Sequence, residues 1–302
     1  KLRQALSIAI DWEEGYGHVF MQKAGEVAMG PLPGGLFGSR QGTPEDLNPV
    51  THQRVNGSPV RRSIEEARQL LAEAGYPNGR DAKTGKPLVL NYDYQRVPTP
   101  EIRAELDWMV KQFAKLNVQL EIRATDYNQF QEKMLKGKQQ IFWWGWFADY
   151  PDAENFLFLF YGPNSKAKFE GENTTNYDNP EYDRLYKQLA LLDDGPEKQQ
   201  LIDRMVDMLR RDSPWAFGYF PYSAGAFQQW VGDAKYGMFT NDRAYYYKVN
   251  APLRTRQQAA WNQPHYWPLL LIALAALAVA LVAWRGFRTR ERATARALPS
   301  GA

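Results

Sequence analysis

No cysteine occurs among the 302 residues, which excludes a disulfide framework and thiolate chemistry. It leaves the compartment open, because exported chains also manage without cysteine. Histidine is nearly as scarce: His18, His52 and His265 lie far apart and in no metal-ligand spacing. There is no HExxH pair, no glycine-rich phosphate loop and no nucleophile elbow, so the residues present no metal, cofactor or catalytic motif. A charge excess is missing too. Of 37 basic and 34 acidic residues, the last eighteen positions hold five arginines (Arg285, Arg288, Arg290, Arg292, Arg296) against Glu291, leaving residues 1–284 with a net charge of −1. That balance offers nucleic acid no electrostatic footprint. Internal repeats and low-complexity segments are absent. So is an export signal: Lys1 leads directly into "LRQALSIAID", where Leu2, Ala5, Leu6, Ala9 and Ile10 share one helical face. A chain that starts inside a fold without an initiator Met is expected to be a piece of a longer one, its N-terminal part and export signal lying upstream.

What is present begins with "WPLLLIALAALAVALVAW", Trp267 to Trp284, which carries no charge and no strongly polar side chain. As a helix rising about 1.5 Å per residue it covers roughly 27 Å, close to the hydrocarbon thickness of a bilayer. Tyr266, Trp267 and Trp284 sit like an aromatic belt, and the arginines beyond Trp284 match the positive-inside bias. The expectation is a single transmembrane helix over 266–284, a polar linker over 254–265 before it, a basic cytoplasmic tail over 285–302, and the rest outside the cytoplasm.

Upstream, the glycine and proline density from Gly30 to Pro59 predicts a long irregular connection rather than helix or sheet. Ser63 and Glu66 form a capping box for a helix to Ala74, ended by Gly75 and Pro77. Lys86–Tyr94 alternates as a strand. Thr99 and Pro100 open a helix to about Leu116, and Val118–Ala124 alternates again. Asp126 caps a helix that stops at Gly137, and Gln139–Phe147 reads as the next strand. This strand, helix, strand, helix, strand order is the pattern of a parallel α/β sheet. Two further helices open at Pro180 and Pro196. Pro214–Val231 is β-like and aromatic, and Ala244–Asn250 reads as a last strand.

The stretch "IFWWGWFADYPDAENF", Ile141 to Phe156, sets three tryptophans beside Asp149, Asp152 and Glu154. Ligands of open parallel sheets bind beyond the carboxyl ends of the strands, and Asp149 stands two residues past Phe147. Asp152 and Glu154 suit the start of the following helix. Paired carboxylates also suggest glycoside chemistry, yet neighbours on one loop are poorly placed to straddle a bond. Alternation puts Phe142, Trp144 and Trp146 on one face and Trp143 and Phe147 on the other. Phe142 and Trp144 are expected in the core, and Trp146, nearest the strand end, against a ligand.

Taken in order, "LRQALSIAID", "IEEARQLLAEAGYPNG", "GWFADYPDAENF" and "NYDNPEYDRLYKQL" resemble the family 5 extracellular solute-binding proteins, the oligopeptide, dipeptide and nickel binders of ABC importers. The resemblance runs from Lys1 to about Val249. It implies a periplasmic-binding-protein-like α/β fold of two lobes around a cleft, closing by a hinge. Residues 1–213 would form most of the second lobe and 214–253 would return to the first, whose remainder is missing. It also implies that Asp149 pairs with the α-ammonium of a peptide and that Trp146 walls the cleft. Tyr150, Asn155 and Tyr222 are further cleft candidates, each equally suited to a turn, a helix start or a strand. Tripeptide-type members carry an arginine three positions before the tryptophan; here Trp143 stands there, so that route to a ligand carboxylate is lost. A C-terminal span is a second departure. The reading is a membrane-tethered binding component of an ABC importer, partnered by permease subunits and the inner membrane, with no cofactor and no catalysis. A membrane-anchored sensor using the same fold is the alternative. Nickel chelates, opines and oligosaccharides are the rival ligands.

Overall fold

A computed structural model describes residues 1–234 and 246–297 of the chain. Among these, one compact unit spans 1–225 and a second comprises 226–234 with 246–297.

The first unit opens with α1 (Leu2–Ala9), which buries Ala5, Ile8 and Ala9 as its periodicity requires. A wide helical segment follows at Trp12–Phe20, with Tyr16 N–H bonding five residues back to Asp11 O at 3.2 Å. β1 (Gly25–Val27) precedes the glycine- and proline-rich stretch. That stretch is irregular to Thr51 but not to Pro59. β2 (His52–Val55) and β3 (Ser58–Arg61) pair as an antiparallel hairpin, correcting the expectation of a connection without sheet. The reason is the two-residue turn at Asn56 and Gly57, both with positive φ, a turn whose twist matches that of the strands it joins.

From α2 (Ile64–Glu73) the elements follow the predicted punctuation. Ser63 and Glu66 make both halves of the capping box. β4 (Val89–Tyr94), α3 (Pro100–Ala114), β5 (Gln119–Ala124) and α4 (Tyr127–Leu135) come next, with Thr99 and Asp126 accepting from the first-turn amides of their helices. The fifth element, β6, is a correction: ladder pairing covers Ile141–Phe142 and not the predicted Gln139–Phe147. The three strands form a parallel sheet in the order β5-β4-β6, with Tyr92 opposite both Ile122 and Ile141. Beyond Phe142 the backbone leaves the ladder, which frees the segment carrying Trp146 and Asp149 to turn toward the helices that follow.

Those helices are α5 (Glu154–Leu157), α6 (Lys166–Phe169), α7 (Pro180–Leu189) and α8 (Pro196–Asp212). β7 (Tyr219–Pro221) then pairs antiparallel with β1. Two apolar cores result. One gathers Ala5, Ile8, Leu71, Leu90, Met109, Phe113 and Leu120 around the sheet; the other gathers Leu32, Phe156, Phe160, Tyr182, Leu185, Ile202 and Leu209 between α5, α7, α8 and the irregular stretch. Arg210, buried at the end of α8, ties that stretch down by donating to Met29 O at 2.8 Å and pairing with buried Asp46.

In the second unit β8 (Val231–Gly232) pairs with β9 (Lys248–Val249). Ala244 and Tyr245, the start of the predicted last strand, lie outside the described residues. The expected linker is itself helical: α9 (Ala251–Trp261), capped by Asn250, buries no residue. α10 (Trp267–Ala297) contains the one candidate span among the described residues, Trp267–Ala293, long and apolar enough to cross a membrane by length and composition.

Candidate functional site

The segment from Trp143 to Asn155 is positioned by its aromatic residues. Phe142 and Trp144 both meet Phe130 of α4, at ring-centroid distances of 6.4 and 5.2 Å, while Trp143 turns the opposite way onto Trp12 at 5.7 Å. The predicted alternation holds over Phe142–Trp144 only, and Phe142 and Trp144, expected in the core, are half-buried and join neither apolar core, whereas Trp143 packs against the one around the sheet. Phe147, expected on the Trp143 face, is 87% exposed. Trp146 packs edge-on against Phe158 at 5.2 Å and borders the α5/α7/α8 core.

Asn155 holds the loop together. It is 3% exposed, and its Oδ1 accepts from the Trp146 indole Nε1 at 3.1 Å and from the Asp149 backbone N at 2.8 Å. One buried oxygen thus fixes both residues assigned to the cleft. Asn155, suggested as a ligand contact, sits behind them as their support.

The three carboxylates divide by partner. Asp152 accepts from Glu154 N at 2.9 Å, the expected helix-start role, and from buried Lys198 at 2.6 Å. Burial pushes the Lys198 ammonium down, but Asp152 and Asp194 more than offset it and hold its pKa above the ordinary range. Glu154 accepts from the hydroxyls of Tyr150 and Tyr186. Burial, and then the bond to Glu154, raise the Tyr150 hydroxyl. Asp149 differs: its side chain is exposed and has no hydrogen bond or ion pair among the described residues. Trp146, Asp149, Tyr150 and Asn155 are therefore brought together. Tyr222 is not. It lies just past β7, its N–H on Ala24 O at 2.9 Å and its hydroxyl on Glu26 at 2.7 Å, and no bond or ring contact joins it to residues 146–155.

Lys198 and Tyr186, 43 and 31 residues beyond Asn155, were not recognisable as part of this loop from the sequence. Pro180 and Pro196 marked the helices that carry them and gave no sign of which carboxylate each would meet. A cavity of about 780 Å³ between the irregular stretch and α8 is lined by Arg40, Asp46, Asp203 and Arg210 among others, and by none of the predicted site residues. Across it Arg40 pairs with Asp203, and Arg210 with Asp46 and Asp207. Among the described residues no cluster of His, Asp or Glu is arranged to hold a metal.

The family model for bacterial extracellular solute-binding proteins, family 5, middle section, matches residues 1–168, more than half of the chain. The chain belongs to this family. Heme-binding protein A of Haemophilus influenzae is 28% identical over 247 residues, 79% of this chain and 41% of that protein. Di/tripeptide-binding protein 4 of Pseudomonas aeruginosa is 26% identical over 65% of this chain and 33% of its own length. The chain thus spans well under half of these curated relatives, which are solute-binding proteins and not enzymes. Among solved structures, the periplasmic binding protein DppA of Helicobacter pylori in complex with the peptide STSA superposes with a TM-score of 0.66 at 19% identity, covering 82% of this chain and 43% of that one. AppA of Bacillus subtilis, in complex with a nonapeptide, gives 0.62 at 19%, covering 82% and 47%. At that identity the likeness establishes the fold, the α/β fold of family 5 periplasmic binding proteins.

Proposed function

We propose that this chain is the ligand-binding part of a membrane-tethered receptor for peptides, serving an ABC importer, with Asp149 as the partner of the ligand's α-ammonium and Trp146 as a wall of the cleft. The observation that carries the reading is the division of the carboxylates. Asp152 and Glu154 are consumed by the fold, whereas Asp149 is exposed, unpartnered among the described residues, and held through its backbone by buried Asn155. A carboxylate on an anchored backbone but itself uncommitted suits a cation, and enclosure by a closing cleft would strengthen the charge-assisted bond. The relatives' names divide between peptides and heme. A free carboxylate favours the ammonium of a peptide over the propionates of heme, which would call for basic partners.

Tethering rests on Trp267–Trp284, with the binding unit on the extracytoplasmic face of the inner membrane and the arginine-rich segment in the cytoplasm. Confinement beside a permease raises the receptor's effective concentration there without any new contact. A thermal-shift screen with short peptides tests the reading. A ligand at a hundredfold excess over its Kd stabilises by about 2.7 kcal/mol, and at the same ligand concentration Asp149→Ala should cut that to about 0.3–1.4 kcal/mol while leaving the unliganded transition unchanged. Equal shifts in wild type and variant would refute the clamp.

A further inference from the structure

We propose that the helix leaving the span is a receptor for anionic lipid: Arg285 and Arg288, reinforced by Arg292, bind the phosphodiester headgroups of the leaflet that Trp284 reaches. The inference rests on the tethered reading of Trp267–Trp284. α10 does not stop at Trp284 but continues unbroken to Ala297. Thr289 spends its hydroxyl on that helix, donating to Arg285 O at 3.0 Å or Gly286 O at 2.9 Å. At about 100° per residue, Arg285, Arg288 and Arg292 fall within an arc of about 60° on one face, and Glu291 lies about 90° from its middle. Three of the segment's arginines thereby share one stripe, whereas Arg290 falls on the opposite face and Glu291, three residues past Arg288, borders the stripe.

Depth selects the occupant. With a rise of about 1.5 Å per residue, Arg285 and Arg288 stand about 1.5 and 6 Å beyond Trp284, within a headgroup layer roughly 5–7 Å thick. Arg292, about 12 Å out, acts through the field near the limit of about one Debye length. The Arg288 guanidinium lies over the Trp284 ring, 4.8 Å from its centroid. A tryptophan anchored at the boundary therefore holds a guanidinium at phosphate level, where its planar fork suits two phosphate oxygens.

The test uses the full chain reconstituted in phosphatidylcholine vesicles containing an equal minor fraction of either dibrominated phosphatidylglycerol or dibrominated phosphatidylcholine, with tryptophan quenching as the readout. Each arginine near the surface is worth about fivefold in local anionic-lipid enrichment. The brominated phosphatidylglycerol should quench several-fold more effectively than its zwitterionic counterpart in wild type. That preference should vanish in R285Q/R288Q/R292Q, while the variant still resists alkaline carbonate extraction. Equal quenching by the two lipids in wild type, with extraction still resisted, overturns the lipid stripe and leaves the tether standing. Absence of quenching by either lipid, with the chain stripped by carbonate, removes the tether and the stripe together.

Discussion

Replacing Asn155 by alanine deletes the one oxygen that Trp146 and Asp149 share. The Trp146 indole N–H, 3.1 Å from that oxygen, lies against the core and would lose its acceptor; the Asp149 amide, at 2.8 Å, belongs to an exposed residue that water can reach. A fully buried donor left unpaired costs about 1–3 kcal/mol, and for the half-buried Trp146 indole with a solvated amide beside it the expected loss of stability is about 1–2 kcal/mol. Trp146→Phe removes the donor and keeps most of the ring packing, for about 1 kcal/mol. In a double-mutant cycle the two changes should couple by about 1 kcal/mol, because in the Asn155→Ala background the indole N–H has no bond left to lose. Urea unfolding of the detergent-solubilised chain measures this as a midpoint shift at unchanged m-value. If Trp146→Phe costs the same in both backgrounds, the shared oxygen does not hold the loop, and the placement of Asp149 needs another cause.

Arg210→Met should destabilise by about 3–5 kcal/mol in the same assay, since it leaves buried Asp46 as an uncompensated charge, and adding Asp46→Leu should recover part of the loss. Gly79→Ala should cost about 2–5 kcal/mol, because φ is +70° and a Cβ would stand 2.2 Å from the backbone oxygen of Asn117; Gly85→Ala, at φ +67° in open space, should cost about 1–2 kcal/mol. Burial pushes the Glu13 carboxyl up, but the His52 hydrogen bond and the Arg61 charge more than offset it and set its folded value below the usual 4.5. Its contribution is therefore present above the unfolded value and lost as pH falls through the folded one. The stability gap between wild type and Glu13→Gln, measured by urea unfolding across pH, should be open at neutral pH and close in acid.

Much of the fold was legible because local chemistry decided it. Ser63, Thr99 and Asp126 all cap the helices whose starts they announced, each satisfying amides that have no partner within the helix. Features set by distant contacts were not legible. The aromatic run at Gln139–Phe147 alternates like a strand, but β4 offers it a partner at two positions, and beyond Phe142 its rings are claimed by Trp12, Phe130 and Phe158. The wide turn at Trp12–Phe20 likewise serves a cluster that includes Trp108, Trp143 and Tyr219. The hairpin at Asn56-Gly57 is a different case: its turn signal was present, and the surrounding proline and glycine density obscured it. At the site, Asp149 stands seven residues past the strand end at Phe142 and not the two the alternation implied, and the role of Asn155 was not readable, since a buried asparagine on a short helix looks like any polar helix-start residue.

The central claim, that Asp149 holds a ligand's amino group, is tested most directly by calorimetric titration of one short peptide with its N-terminus free or acetylated, against wild type and Asp149→Asn. A charge-assisted bond worth about 1.5–3 kcal/mol predicts that acetylation weakens binding to wild type by about 10- to 150-fold and that the difference disappears in Asp149→Asn. Equal affinity of wild type for the free and acetylated peptides would contradict it.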